Sequence, residues 1–420
     1  MRNLLRRPEP ALLRDVAKAL ASAAEAFVVP KGHRADLPLA VQGLSRLLTR
    51  ERGELGRSYW SAPRFLAAYI HYFLPWNLYR LAWLLPDLDL LPDPLPEGEL
   101  RLLDLGSGPL TLPLALWCAR PDLRGRSLRI VCADLASRPM EVGRDALRNL
   151  AGNASPWRVD LARIPLEKAL GGKEYQLILA GNVLNEIRPG RGQAREEKLE
   201  ALFSAMNRAL RPDGRVFLLE PGTRLGGQWI AQARAAALNS GFFPLSPCPH
   251  RGPCPMPGQL AAAAFTGWCH FSAPAIDIPK PLLALGRQAR LEKETLALSC
   301  ILLGRGVAED PKDQEGGRRG MPEQSAGGRE NSLSSGFARI ISQPIHLPDR
   351  SAPARYACCA RGLALALDAS ALPSGGATRL CWPAEGERDR KSGALLCAVQ
   401  THSARKALRN PNHSVRGRRK

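Results

Sequence analysis

Between residues 100 and 240, short apolar runs alternate with segments of helical periodicity, and no other feature restricts the fold as much. Strands are expected at "LRLLDLG", "SLRIVCAD", "YQLILAGNV" and "RVFLLEP", with a weaker one at "SPWRVDLA". Helices are expected over 109–119, 137–150, 194–210 and 223–239. Strands joined by crossovers of helical length pair in parallel, and a parallel sheet must be covered on both faces. "TLALSCILLG" reads as a strand returning to the same sheet.

The flanking regions differ in pattern. Residues 1–95 read as a helical N-terminal region, with "LPLAVQGLSRLLTRER" carrying apolar residues three and four apart, and "LPDLDLLPDPLPEGE" breaks the chain before the sheet. The α/β unit is expected over 96–305, with an irregular loop at 244–272. Residues 306–335 have almost no apolar periodicity and read as a disordered linker. "ARIISQPIHL", "RYACCARGLALAL" and "GALLCAVQ" suggest a small strand-rich unit over 336–400, and 401–420, with seven Arg or Lys and no acid, read as a basic disordered tail.

A hydrophobic content of 45% with 23% charged residues is that of a soluble globular chain. The most apolar stretch, "FLAAYIHYFLPWNLYRLAWLL", contains Pro75, Asn77 and Arg80 and reads as a packed helical pair, so no membrane partner is expected. Pro8, Glu9 and Pro10 interrupt the basic N-terminus before an apolar signal core, which points to a cytoplasmic protein. A formal charge of +20, rich in arginine, points to a polyanionic partner, because clustered guanidinium groups release counterions from a phosphate backbone. Ten cysteines without an export signal argue against a disulfide scaffold, and Cys118, Cys132 and Cys300 sit in apolar runs as buried thiols.

The stretch "LLDLGSGPLTLPLAL" is a strand, a tight turn with Gly106 and Gly108, and a helix beginning near Pro109. Glycine lets a ligand approach the backbone, and the helix start offers unpaired N–H groups. A dinucleotide fingerprint needs a third glycine at 111, where Thr111 stands, so NAD and FAD are disfavoured. Asp104 near the end of "LRLLDLG" and Asp134 at the end of "SLRIVCAD" are acids at strand ends, placed to accept hydrogen bonds from an ammonium group and from ribose hydroxyls, as S-adenosylmethionine requires. The pattern resembles class I methyltransferases, with Leu110 in place of that family's usual third glycine. The resemblance implies a Rossmann-like fold, Asp160 near the adenine, and "AGNVLNEI" closing the pocket with Asn182 and Glu186 towards the methyl donor. "GNVLNEI" is not the tetrapeptide of amino-methylating nucleic-acid enzymes, so no catalytic residue is assigned.

"SPCPHRGPCP" puts Cys248 and Cys254 in a run where proline and glycine forbid regular structure, and "GWCHF" adds Cys269 and His270. Their spacing matches no common zinc ribbon, yet idle thiols, structural zinc with His250 or His270, and an iron–sulfur site all remain open. A fourth thiolate would come from Cys358, Cys359, Cys381 or Cys397. Trp268 and Phe271 are expected beneath the loop.

"EPGTRLGGQWIAQAR", "PCPHRGPCPM" and "WCHF", with "LDLGSGPLTLPLAL" and "GNVLNEI", resemble the ribosomal small-subunit methyltransferase-like family, which includes the mitochondrial methyltransferase-like protein 17 and bacterial relatives. The similarity runs from about residue 45 to 305 and more faintly to 400. It implies a [4Fe-4S] cluster with Cys248, Cys254, Cys269 and Cys358 as ligands, zinc being the alternative. It further implies a precursor of the small ribosomal subunit and its rRNA as partners, rather than DNA, and S-adenosylmethionine-dependent methylation of that RNA. The alternative is a non-catalytic RNA-binding assembly factor that keeps the cofactor fold. The expected architecture is therefore α/β: a helical N-terminal region, a class I methyltransferase-like domain with an inserted cysteine-rich metal loop, and a small β-rich C-terminal unit. The proposed cofactor contacts are Asp104, Gly106, Gly108, Asp134, Asp160 and Asn182.

Overall fold

The computed structural model describes residues 3–29, 34–49, 60, 62–171, 174–187, 194–256, 267–305, 335–347, 352–382 and 386–399. The expected linker, apart from its last residue, and the basic tail at 401–420 lie outside the described residues. The chain starts with α1 (Pro10–Ala26), α2 (Leu37–Thr49), α3 (Pro63–Ala68) and α4 (Leu74–Leu84). A π-helical turn at Tyr69–Phe73 joins α3 to α4, so the stretch expected as a helical pair is one continuous rod. Pro75 explains the wide turn: it has no N–H to donate and its ring crowds the preceding turn. Among the described residues no helix is long and apolar enough to cross a membrane.

Strand and helix then alternate as β1 (Leu100–Leu105), α5 (Thr111–Ala119), β2 (Leu128–Asp134), α6 (Ser137–Ala151), β3 (Trp157–Arg163), α7 (Leu166–Ala169), β4 (Tyr175–Gly181), α8 (Arg195–Ala209), β5 (Leu210–Pro221) and α9 (Arg224–Asn239). The remaining sheet elements are β6 (Phe242–Ser246), β7 (Phe271–Pro274), α10 (Lys280–Gln288) and β8 (Thr295–Arg305). The sheet runs β3-β2-β1-β4-β5-β8-β6, parallel from β3 to β5 and antiparallel beyond. This is a Rossmann-like α/β fold, as the alternation predicts. The strands are apolar on both faces because both are covered. Leu100 and Leu102 share a core with α1, α4, α5 and α6, while Leu103 and Leu105 join that of α8 and α9. The N-terminal helices thus cover one face of the sheet.

β6 and β7, which the sequence did not suggest, pair in tandem along one edge of β8: Phe242 stands opposite Arg305, and Phe271 opposite Leu298. The cysteine loop leaves the sheet between them. Beyond β8, the strands β9 (Ser335–Ile340), β10 (Arg355–Cys359), β11 (Gly362–Leu367), β12 (Ala377–Cys381) and β13 (Leu395–Val399) close a barrel in the order β10-β11-β13-β12-β9, with β11 and β13 parallel. Numbered from the barrel's own first strand this is 1-2-3-5-4, the order of an OB-fold. Ala357, Cys359, Ala364 and Ala366 fill its interior, and the alternate residues Cys358, Leu363 and Leu365 pack on the α/β unit.

α6 approaches the turn after β1 so closely that a Cβ on Gly143 would lie 2.4 Å from the Pro109 carbonyl carbon. Gly143→Ala is expected to destabilise the chain by about 1–3 kcal/mol despite alanine's better helix propensity. A urea midpoint that does not fall would show that the turn is free to move.

Candidate functional site

From β1 the chain proceeds outward to β2, and from β4 outward to β5, so the C-terminal ends of β1 and β4 flank the point where the strand order reverses. Such a point opens a crevice suited to a nucleotide. Gly106 (φ 65°) and Gly108 (φ 46°) take left-handed conformations there, and a Cβ on Gly106 would meet the Val183 side chain at 2.6 Å. Leu110, in the place of the missing third glycine, is itself left-handed at φ 54°. The backbone of the loop is therefore kept at a strain of about 1–2 kcal/mol.

Asp104 is 2% exposed, and its Oδ2 has no hydrogen-bond partner among the described residues. Burial pushes its pKa up to about 8, against the pull of Ser107 and with a smaller push from Asp134. Asp134 accepts hydrogen bonds from the backbone N–H groups of Gly108 and Ala136, both at 2.9 Å, and so ties the glycine turn to the end of β2. Burial raises its pKa while those N–H groups lower it. Asp104, Gly106, Gly108, Asp134, Asn182 and Glu186 line one cleft. Asn182 is left-handed at φ 60° and donates its backbone N–H to the Leu219 carbonyl at 2.7 Å.

Asp160 is not brought to this cleft. It stands opposite Val131 on β3, three residues before the strand end, and its carboxylate accepts from Arg129 Nε at 2.6 Å on an open surface. Its register sets it back from the cleft, which lies at the strand ends, where Asp134 pairs with Arg163. Sequence reasoning missed Glu220, 1% exposed, whose carboxylate accepts the Leu184 N–H at 2.8 Å, while Arg195 donates to the carbonyls of Leu184 and Ile187. Together they hold the segment that follows β4. An acid closing the apolar run "VFLLE" was the available signal. Tyr69, Phe73, Asn77 and Arg80 from the helical rod and Lys293 from the segment before β8 also line the cleft, and no motif marked them.

The cysteine loop is braced by backbone acceptors. Arg234, 2% exposed, donates to the carbonyls of His250 (3.0 Å) and Gly252 (2.7 Å), and Arg339 donates to that of Pro247 (3.1 Å). Trp268 donates to the Gly222 carbonyl at 3.0 Å; a Cβ on Gly227 would meet Trp268 at 2.9 Å and one on Gly226 the Pro221 carbonyl oxygen at 2.1 Å, which together account for the paired glycines of "RLGGQW". Phe271 is fully buried, as expected beneath the loop. His270 stacks on Trp268. His250 Nε2 lies 3.2 Å from Cys358 Sγ, and burial lowers its pKa to about 4, leaving the ring neutral. Burial raises the pKa of Cys358, and the nearby Cys248, Cys269 and Cys254 raise it further. Cys269 is shifted the same way by burial and then by Cys248 and Cys254. Of the four candidates for a fourth ligand, Cys358 faces the loop, Cys359 and Cys397 belong to the barrel interior, and Cys381 is half-buried on β12. Among the described residues no group of three or more His, Cys, Asp or Glu side chains is arranged to hold a metal ion.

Residues 88–295 match the model of the family described as mitochondrial small ribosomal subunit Rsm22. The Rsm22-cox11 tandem proteins 1 and 2, mitochondrial, of Schizosaccharomyces pombe are each 25% identical over 254 residues, which covers 57% of this chain and 32% of theirs. The chain thus spans about a third of the length of these relatives, 32%. Among solved structures, a methyltransferase from Pyrococcus furiosus is 12% identical, with 50% of this chain and 77% of that one covered at a TM-score of 0.29. A putative sarcosine dimethylglycine methyltransferase from Galdieria sulphuraria is 14% identical, with 63% and 98% covered at a TM-score of 0.30.

The state of Asp104 has a measurable consequence. Its folded-state pKa is raised from 3.8 to about 8, so the folded chain binds the extra proton between those values. Stability should therefore fall as pH rises through that window. Asp104→Asn is expected to gain about 1–3 kcal/mol at about pH 9 and little at about pH 4, read from paired urea melts. A gain independent of pH would refute the assignment.

Proposed function

We propose that this chain is an S-adenosylmethionine-dependent methyltransferase-like protein that acts on small-subunit ribosomal RNA during ribosome assembly and carries a [4Fe-4S] cluster on Cys248, Cys254, Cys269 and Cys358. The observation that carries the reading is the Asp104 oxygen that has no partner among the described residues, buried beside two left-handed glycines at the reversal of strand order. A ligand bearing an ammonium group and a nucleoside suits that surface, since it supplies the donor that Asp104 lacks. When bound, S-adenosylmethionine would supply an electrophilic methyl group. The residues of the cleft would orient it, and alignment with an acceptor contributes much of the rate in such displacements. The match to the Rsm22 family supports a small-subunit partner.

The cluster reading is supported by four thiols that influence one another across two units of the fold. A four-iron cluster takes its thiolates from corners set wider than the ligands of one ion, which suits cysteines that are neighbours without converging on a point. The buried guanidinium groups of Arg234 and Arg339 would favour the net negative charge of such a centre. The second reading, a non-catalytic assembly factor, is favoured by the segment after β4, which offers Asn182, Asn185 and Glu186 but no amino-methylating tetrapeptide.

RNA contact has a surface to recommend it. Phe337 on β9 is 49% exposed, and the guanidinium of Arg379 on β12, directly opposite, lies 4.5 Å from its ring centre. Aromatic and arginine planes of this kind stack on unpaired bases.

Transfer of labelled methyl groups from S-adenosylmethionine to immature small subunits tests the enzyme reading; binding of the cofactor without any transfer would leave the assembly-factor reading in its place. Anaerobically purified protein is expected to contain iron and acid-labile sulfide, with Cys358→Ser losing most of both and Cys359→Ser retaining them; iron retained in Cys358→Ser would remove the ligand assignment. Phe337→Ala should weaken binding of single-stranded RNA by about 1–3 kcal/mol in a filter assay.

A further inference from the structure

The cleft's second wall carries charges that a nucleoside alone would not use. Tyr69, Phe73, Asn77 and Arg80 reach it from successive turns of the helical rod, and Lys293 reaches it from the segment leading into β8. Arg80 donates from Nη1 to Asn77 Oδ1 at 2.6 Å, while its Nε is buried without a partner among the described residues. The Lys293 ammonium lies 5.3 Å from the ring centre of Tyr72 and 5.4 Å from that of Trp76. The Tyr72 hydroxyl donates to the Leu291 carbonyl and so fixes the Lys293 segment against the rod. Neither cation has an ion pair among the described residues. Aromatic faces offset part of an ammonium's lost hydration, but they do not supply the negative charge that two neighbouring cations call for. Burial, and then Arg80, press the Lys293 pKa well below its usual value.

We propose that Arg80 and Lys293 form a carboxylate subsite for the α-amino acid end of the nucleoside donor, whose ammonium group goes to Asp104. The inference rests on the cofactor reading above and extends it to the residues that hold the amino-acid end. Acid and cations line the same cleft, so the ligand that completes both carries both charges. A phosphodiester would satisfy the cations but meet repulsion from Asp134 and bring no positive charge to Asp104. A zwitterion brings its own counter-charge to each.

Calorimetry on the full chain with two probes tests the subsite: S-adenosylhomocysteine, which has the amino-acid end, and 5′-methylthioadenosine, which lacks it. The unsubstituted protein is expected to bind the first at least about tenfold more tightly, the size of effect for a charge-assisted contact. Lys293→Met and Arg80→Met should each remove about tenfold of the affinity for S-adenosylhomocysteine and leave that for methylthioadenosine unchanged, with Lys293→Arg retaining most of it. Equal binding of the two probes by the unsubstituted protein would overturn the subsite and leave the cofactor reading standing. Equal loss of both probes in the two methionine variants would mark a structural role and overturn it too. If the unsubstituted protein binds neither probe, the cofactor reading falls and the subsite with it.

Discussion

The hydrogen bonding of β8 along both its edges is the constraint on which the two candidate sites depend. On one side it pairs with β5 from Arg215 to Pro221; on the other, β6 takes its C-terminal part and β7 its N-terminal part. Between those partners no described strand pairs with the edge from Ser299 to Ile301, and there the cysteine loop leaves the sheet. Ser299 donates its hydroxyl to the Cys269 carbonyl at 2.9 Å, tying the return of the loop to the strand it interrupts. The entrance of the same strand brings Lys293 to the candidate cleft. One antiparallel strand in an otherwise parallel array thus positions a cleft at one end and an irregular loop along its side, and distortion of either should be felt by the other.

The barrel extends this arrangement. In an OB-fold the face made by the second and third strands commonly meets oligonucleotides. Here those strands are β10 and β11, and their outward residues Cys358, Leu363 and Leu365 are buried against the α/β unit. The usual binding face has become an internal interface. Any nucleic acid must use another side, such as the one that carries Phe337. The interface is reinforced by polar contacts: Arg339, which is held within the barrel by the Gly375 carbonyl, donates across to the Pro247 carbonyl, and the Leu4 N–H donates to the Gly375 carbonyl at 2.9 Å, bringing the start of the chain to the barrel. Leu363 and Leu365 alone would hold the barrel through apolar area, which is tolerant of small shifts. A guanidinium fork aimed at carbonyl oxygens is directional and fixes the approach.

The parts of this fold written in short-range periodicity were legible. The strands of the parallel sheet are runs such as "LRIVCAD", and the helices between them show the 3.6-residue period, so class and strand identity follow from sequence. β6 and β7 were not legible, because "FFPLS" and "FSAP" are only five and four residues long and owe their conformation to a partner strand far along the chain. The barrel's order depends on non-local pairing for the same reason. At the site, Asp104 and Asp134 could be read because a strand–turn–helix fixes acids at strand ends. Asp160 could not be placed, since a strand's exit point depends on where its neighbours stop. Lys293 sits between Glu292 and Glu294 and reads as part of a solvated charge run, whereas the chain turns Lys293 inward and leaves both acids exposed.

Among the described residues the charges of the cleft are not matched, and the magnitudes show in which direction. An unpaired buried polar group costs about 1–3 kcal/mol, more if charged, whereas a domain's whole stability is about 5–15 kcal/mol. Asp104 reduces its share by holding a proton near neutrality; Arg80 retains its charge even with a pKa lowered to about 10, and so has no such escape. A hydrophobic packing of the same wall would cost less, as replacements of buried charges often do. A ligand with both charges reverses the balance, because it lets Asp104 ionise and gives the cations a counter-ion at the same moment. On the reading proposed above, binding of the amino-acid end and release of the Asp104 proton would be one linked event, and this coupling would be the same whether a methyl group is subsequently transferred or the protein serves only as a scaffold.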